Sequence, residues 1–492
     1  MGWGVEYRPM NRTTAFLALA GALVLTAVIA GLPRNAVPPT AAPPAPPSNP
    51  TPTVAPQTPL TPPVAAAPGS LTLTGSLSHP YLVPGTSDLF ATLQVSAVEV
   101  KGQRAPVNLA LVIDRSGSMA GEKLEQAKRA AAHLVDLLDE NDRLAIVHYG
   151  NDVRAFPAAM CTAETRLRMK RYIAGIQEQG GTNIGEGLTA GQAQLSLMRS
   201  DFRVNRLLLL SDGQPTVGVT SPVGLTRIVS SIRSAGISVT SMGVGADFNE
   251  DLMQRLADVG GGSYGFISNA TATATLFEKD LKQAGTMVAQ SVSLRFTLPE
   301  GVTLGEVFGR PTAVEGRTVT VTMPDFAAGQ VEKLVIRLTA VTASAAQGST
   351  LDVARFELAY RDLRDQRDAA SALSLSAMLT HDVKIADARR NKDAYLDATR
   401  AQTSVNYKKA ALAIDQGDFA TANRAIEANN GLLEDAAGVG GALAVEEDKK
   451  DNAVFFGLTS SAAKAPAEQQ RERVKGLKVK ALKTSGRGDS VY

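Results

Sequence analysis

Cysteine is nearly missing from these 492 residues: Cys161 stands alone, so no disulfide can form within the chain. A single cysteine of this kind reads as a small, semi-buried side chain rather than a catalytic thiol. Histidine is almost as scarce. The four residues, His79, His133, His148 and His381, lie far apart, with no His-Glu-x-x-His run and no Cys-His set to hold zinc. The chain also lacks a Gly-x-x-x-x-Gly-Lys loop, which removes nucleotide hydrolysis. Charge of one sign is missing as well: the formal net charge is +2, which gives nucleic-acid binding no electrostatic support. These absences point away from an enzyme and identify no small-molecule substrate.

Hard oxygen donors are what the chain does carry in a pattern. Asp114, Ser116 and Ser118 stand in Asp-Arg-Ser-Gly-Ser, Thr182 in Gly-Gly-Thr-Asn, and Asp212 in Ser-Asp-Gly. The first stretch follows the apolar run Leu109 to Ile113 and the last follows Leu207 to Leu210, so both fall where a buried parallel strand ends. Such strand ends are where open α/β sheets bind ligands. Two carboxylates and three hydroxyls suit Mg²⁺, with Mn²⁺ or Ca²⁺ as alternatives, and disfavour zinc or copper. Magnesium takes six ligands and usually keeps some waters. A carboxylate from outside could complete such an ion. Asp114 and Asp212 could in principle orient a metal-bound water for hydrolysis, but that chemistry needs a general base, and none is evident.

These three stretches resemble the metal-ion-dependent adhesion site of von Willebrand factor type A domains, whose pattern is Asp-x-Ser-x-Ser, then Thr, then Asp. All five positions match, and the resemblance runs from about Pro106 to Gln290. The flanking runs Asp142-Arg-Leu-Ala-Ile-Val and Gly243-Val-Gly-Ala-Asp-Phe-Asn-Glu look like bacterial members of the family. The resemblance implies that Ser116, Ser118 and Thr182 ligate the ion directly, while Asp114 and Asp212 act mainly by holding ligating waters and fixing nearby hydroxyls. Arg115 sits at a variable position of the motif and is expected to be solvated, with steering of acidic partners as the alternative.

Around this centre the chain divides into further units. In residues 1–32, Arg8 and Arg12 precede the uncharged apolar stretch Thr13 to Leu32, long enough to cross a bilayer once. It serves equally as a cleaved signal peptide or as a membrane anchor, and either way the body is expected outside the cytoplasm. Residues 33–70, rich in proline and alanine, read as a disordered, semi-rigid stalk. Residues 71–104 alternate as strands, and alternation returns in 291–380. One β-sandwich built from both flanks, with a doubly wound α/β domain (105–290) inserted or flanked, accounts for both. Within 105–290, Leu124, Ala127, Ala131, Leu134 and Leu138 mark the inner face of a helix. Residues 381–436 predict a helical hairpin, with helices over Val383 to Gln416 and Phe419 to Leu433 and a turn at Gly417-Asp418. Residues 437–492 read as a charged, partly disordered tail; its basic stretch Arg471 to Lys483 is expected to be solvated, with contact to anionic lipid as the alternative. Arg487-Gly488-Asp489-Ser490 reproduces a short integrin-binding sequence, an easy chance match.

Taken together, the sequence predicts a non-enzymatic, exported cell-envelope protein that captures an acidic group of a protein partner through a divalent cation. The alternative is an assembly or scaffold factor that docks to an envelope machine or an ATPase partner. The label of calcium-activated chloride channel attached to some relatives is a third option, but one membrane segment cannot line a pore.

Overall fold

The computed structural model describes residues 69–100, 104–245, 247–267, 270–342, 346 and 348–487. The expected export segment and nearly all of the expected stalk lie outside them. Among the described residues no helix is long and apolar enough to cross a membrane.

Three strands come first: β1 (Leu71–Leu77), β2 (Tyr81–Leu82) and β3 (Thr86–Ala97). In β1 the side chains of Leu71, Leu73 and Leu77 are buried while Thr72 and Thr74 are exposed, the period-two pattern of a strand covered on one face. The chain then leaves for a complete α/β domain. Its elements are β4 (Val107–Asp114), α1 (Glu122–Leu137), β5 (Arg143–Tyr149), β6 (Val153–Met160), α2 (Ala163–Ala174), α3 (Ile184–Ser196), β7 (Val204–Ser211), α4 (Pro222–Ser234), β8 (Ser238–Val244), α5 (Glu250–Gly260), β9 (Gly261–Ile267) and α6 (Ala270–Gly285). It returns through β10 (Met287–Thr297), β11 (Val302–Val307), β12 (Thr312–Glu315), β13 (Thr318–Thr322), β14 (Phe326–Ala327), β15 (Val331–Val341), β16 (Thr350–Asp362) and β17 (Arg367–Leu379).

The two flanks build one sandwich. One sheet runs β1-β3-β15-β11; the other runs β12-β13-β10-β16-β17-β2, with β14 paired to β10. β3 and β15, which flank the whole insertion, pair antiparallel from Thr86 opposite Val341 to Ser96 opposite Val331. Leu73, Leu93 and Leu338 from the first sheet share one apolar core with Val319, Phe296 and Phe356 from the second. The α/β domain is therefore inserted between strands of the sandwich.

The inserted sheet has the order β6-β5-β4-β7-β8-β9 and is parallel except for β6. β4 and β7 are buried along their whole length, as continuous apolar runs between two helical layers must be. The strand order reverses between them, so their C-terminal ends form the topological switch point. β6 was not foreseen: it is a half-buried edge strand containing Pro157, a residue that only an edge tolerates. The junction with the sandwich is polar. The Arg233 guanidinium donates to the Met323 carbonyl at 2.8 Å and lies 3.6 Å from the Asp325 carboxylate, which also accepts from the Ser291 amide at 2.9 Å and from the Ser238 hydroxyl.

The C-terminal region departs from expectation in two places. The first expected helix is split into α7 (Val383–Ala388) and α8 (Lys392–Asp415), because Asn391 caps α8 by accepting from the Ala394 amide at 3.1 Å while its own amide donates to the Ser78 carbonyl. α9 (Phe419–Gly440) completes the hairpin. The region expected as a tail is then largely helical over its described part, as α10 (Glu446–Ser460) and α11 (Ala467–Thr484). Val474, Leu477 and Ala481 of α11, already at helical spacing, are buried against Ala410, Ala411 and Ile414 of α8. The alanine surface lets the two backbones approach closely, and that is the packing partner the sequence pattern did not disclose. Arg487 is also buried, donating to Asp258, which removes it from solvent; Gly488 to Ser490 lie outside the described residues.

Candidate metal centre

The chain leaves β4 at Asp114 and turns at once into a one-turn 3-10 helix, Gly117–Met119. Asp114 is fully buried. Its Oδ1 accepts from the Ser116 amide at 2.9 Å; its Oδ2 accepts from the Ser211 hydroxyl at 2.6 Å and the Tyr149 hydroxyl at 3.2 Å. Burial pushes its carboxyl up to about 6, with a smaller push from neighbouring Asp212, while hydrogen bonds from Ser116 and Ser211 pull the other way. Tyr149 reaches this place because α3 presents Gly187 to its ring; a Cβ there would stand 2.4 Å from the ring carbon Cδ1.

The hydroxyls grade from floor to lip. Ser116 is buried, Ser118 is exposed, and their Oγ atoms lie 3.1 Å apart. Thr182 is buried and pinned to the loop after β7: its amide donates to Thr216 Oγ1 at 2.8 Å, and its carbonyl accepts from the amides of Thr216 and Val217. The first and second loops are joined by the Gly117 amide donating to the Gly180 carbonyl at 2.9 Å. Gly180 has φ of 67°, which a glycine adopts without strain.

Asp212 differs from Asp114 in having too few partners. It is fully buried, and its Oδ1 has no hydrogen-bond partner among the described residues. Its Oδ2 lies 3.5 Å from Lys123 Nζ, which sits closer, at 2.7 Å, to Asp247. A buried carboxylate oxygen without a donor is costly unless a cation meets it, so the residues present fit a divalent ion. Among the described residues no group of three or more His, Cys, Asp and Glu could hold a metal, which leaves the mixed carboxylate and hydroxyl set as the candidate.

Three contributors escaped the sequence reading. Ser211 stood within the quoted Ser-Asp-Gly triplet but carried no role; Tyr149 and Lys123 had no signal, because their contacts join different strands and helices. Arg115, expected to be solvated, is buried: it pairs with Asp152 and donates to the Gln177 carbonyl at 3.4 Å. Cys161 is buried and its thiol is pushed up to about 12 by burial and by Asp142, so it is inert. No Gly-x-Ser-x-Gly elbow is expected from the sequence; the run of that pattern at Gly261 to Gly265 lies inside β9 with Ser263 buried, not at the strand-to-helix turn a nucleophile elbow requires.

A six-stranded, mostly parallel sheet between helical layers defines a class of Rossmann-like α/β domain. Residues 108–279 match the model of the von Willebrand factor type A domain, and this chain contains such a domain. The chain is 31% identical over 204 residues to the uncharacterized protein YfbK of Escherichia coli, covering 41% of this chain and 35% of that one. It is 31% identical over 199 residues to the inter-alpha-trypsin inhibitor heavy chain H2 of Mus musculus, covering 39% and 21%. The matched region thus spans about a third and a fifth of those relatives. Among solved structures, a von Willebrand factor type A protein from Catenulispora acidiphila shares the fold with a TM-score of 0.63 at 18% identity, over 85% of this chain and 97% of that one. The ArnB paralog VWA2 from Sulfolobus acidocaldarius gives 0.53 at 17% identity, over 85% and 99%. Domains of this type typically mediate protein-protein interactions.

Proposed function

We propose that this chain is a non-enzymatic binding protein that holds an acidic side chain of a protein partner through a divalent cation, Mg²⁺ in the first instance, at Asp114, Ser116, Ser118, Thr182 and Asp212. The observation that carries this reading is the buried, unpartnered Oδ1 of Asp212 beside a second buried carboxylate, at the ligand-binding end of the sheet. Ser116, Ser118 and Thr182 would supply neutral oxygens, and Asp114 and Asp212 the compensating charge. With Asp114 and Asp212 acting through water, the oxygens bound directly to the ion would be neutral and one coordination position would stay open, and that position is what an incoming carboxylate takes. Asp114 is held by Ser116, Ser211 and Tyr149, which orients its oxygens before any ion arrives. Arg8 and Arg12 ahead of the apolar stretch Thr13 to Leu32 support placement in the cell envelope, outside the cytoplasm, with a membrane attachment if that stretch is retained.

Capture of an aspartate-containing peptide by the full chain, with Mg²⁺ or with EDTA, tests the reading. Binding should vanish in EDTA and in Asp114→Ala; binding undiminished under both conditions would overturn it.

A further inference from the structure

Beside the metal loops lies a cavity of about 480 Å³, lined by residues from β5, β6, α2 and the loop that leads to Thr182. Arg115, Arg154 and Arg171 face it together with His148, Tyr172 and Glu178. Arg115 is the residue between Asp114 and Ser116, so the cavity adjoins the metal loop directly along the chain. The Gln179 amide, at the cavity's other wall, donates to the Arg115 carbonyl at 2.7 Å and fixes the two walls to each other.

The cavity is built for negative charge, and for little of it. Asp152 bridges Arg115 and Arg154, accepting from Arg154 Nε at 2.9 Å, while Arg171 is exposed and makes no ion pair among the described residues. Three guanidiniums against the carboxylates of Asp152 and Glu178 leave one positive charge without a counterion. His148 is buried, and its Nδ1 has no hydrogen-bond partner among the described residues. An uncompensated guanidinium in the wall of a cavity is what a carboxylate requires. A dianionic phosphate would exceed the available charge.

We propose that this cavity is an anion subsite that takes a second carboxylate of the same partner whose first carboxylate completes the metal, so that the chain recognises a paired acidic motif rather than a lone acidic residue. The pairing rests on the metal reading above; the anion subsite itself does not. The field in the cavity agrees: burial, Arg115 and Arg154 hold His148 down at about 4, so its imidazole is neutral at pH 7 and adds no charge to that of the guanidiniums.

Two experiments on the full chain separate the two claims. In EDTA, phenylglyoxal labelling of Arg171 is followed by peptide mass spectrometry against exposed, remote Arg424, with rising acetate or inorganic phosphate. Acetate should slow labelling of Arg171 at least about threefold and leave Arg424 unchanged, with phosphate no more effective than acetate; no protection, equal protection of Arg424, or stronger protection by phosphate would overturn the carboxylate subsite. In Mg²⁺, fluorescent peptides carrying one aspartate, or two separated by one to five Gly/Ser residues, are titrated against wild type and Arg171→Gln. At the best spacing the paired peptide should bind at least about tenfold more tightly than the single one, and Arg171→Gln should erase that gain while leaving the single-aspartate peptide within about twofold. Because Arg171 holds no ion pair, its replacement leaves the fold intact. No gain at any spacing, or a gain that Arg171→Gln preserves, contradicts the pairing. A single-aspartate peptide that ignores Mg²⁺ brings down the metal reading and the pairing with it, while the labelling experiment still judges the subsite.

Discussion

Two buried aspartates in this molecule meet opposite fates. At the junction of domain and sandwich, Asp325 is surrounded by Arg233, the Ser238 hydroxyl and the Ser291 amide, all from this chain. At the switch point, Asp212 is equally buried, but one of its oxygens has no donor and its nearest cation, Lys123, leans toward Asp247. The same costly event, taking a carboxylate out of water, is thus answered internally in one place and, on the function proposed above, by an external cation in the other. Asp325 is a structural charge; Asp212 is the one we propose to be functional.

Breaking the structural pair should cost the most. Arg233→Met leaves Asp325 buried without its cation, and urea unfolding should report a loss of about 3–5 kcal/mol. Adding Mg²⁺ should act only at the other site: at roughly one hundred times its dissociation constant it should stabilise wild type, and Arg233→Met as well, by about 2.7 kcal/mol. Asp212→Asn should show no such gain, and without metal it should be no less stable than wild type. A large loss in metal-free Asp212→Asn would mean that its charge is already compensated, and the contrast with Asp325 would disappear.

Much of this contrast was open to reading in the chain, and some was not. Asp114 and Asp212 each end an apolar run long enough for a fully buried strand, so their position on the rim follows from the pattern. The inward face of α1 was likewise legible, since Leu124, Ala127, Ala131 and Leu134 are buried at helical spacing. What linear spacing does not carry is pairing across the fold. Nothing near Asp325 in sequence announces Arg233, and nothing near Asp114 announces Tyr149. The same limit explains α11: its apolar stripe was visible, yet its burial depends on the alanine face of α8, which only the fold supplies. Arg115 was misjudged for the same reason, because Asp152 reaches it from beyond the end of β5.

Acid sharpens the picture at the cavity beside the rim. The folded His148 titrates at about 4 against an ordinary value of 6.5, so the unfolded chain takes its proton first as pH falls. The folded state therefore binds fewer protons between pH 6.5 and 4, and stability from this group is present above that window and lost as pH falls through it. Wild type minus His148→Gln, followed by thermal unfolding across pH 4–7, should show a loss of about 1 kcal/mol once solvent screening is allowed for. A flat difference would mean that His148 is not held in a positive, dry setting.

The smallest expected effect is at Lys123. Its ammonium stands near Asp212 where an ion would act, so Lys123→Met should tighten Mg²⁺ binding by about two- to fivefold, on the order of 0.5–1 kcal/mol. Weaker binding would show instead that Lys123 helps to hold the loop.

The central claim, that the switch-point carboxylates await a cation, is tested most directly by calorimetric titration of Mg²⁺ into the EDTA-stripped full chain at pH 7. The account predicts one site per chain in wild type and none in Asp212→Ala. Absence of binding in wild type, or an unchanged isotherm in Asp212→Ala, would contradict it.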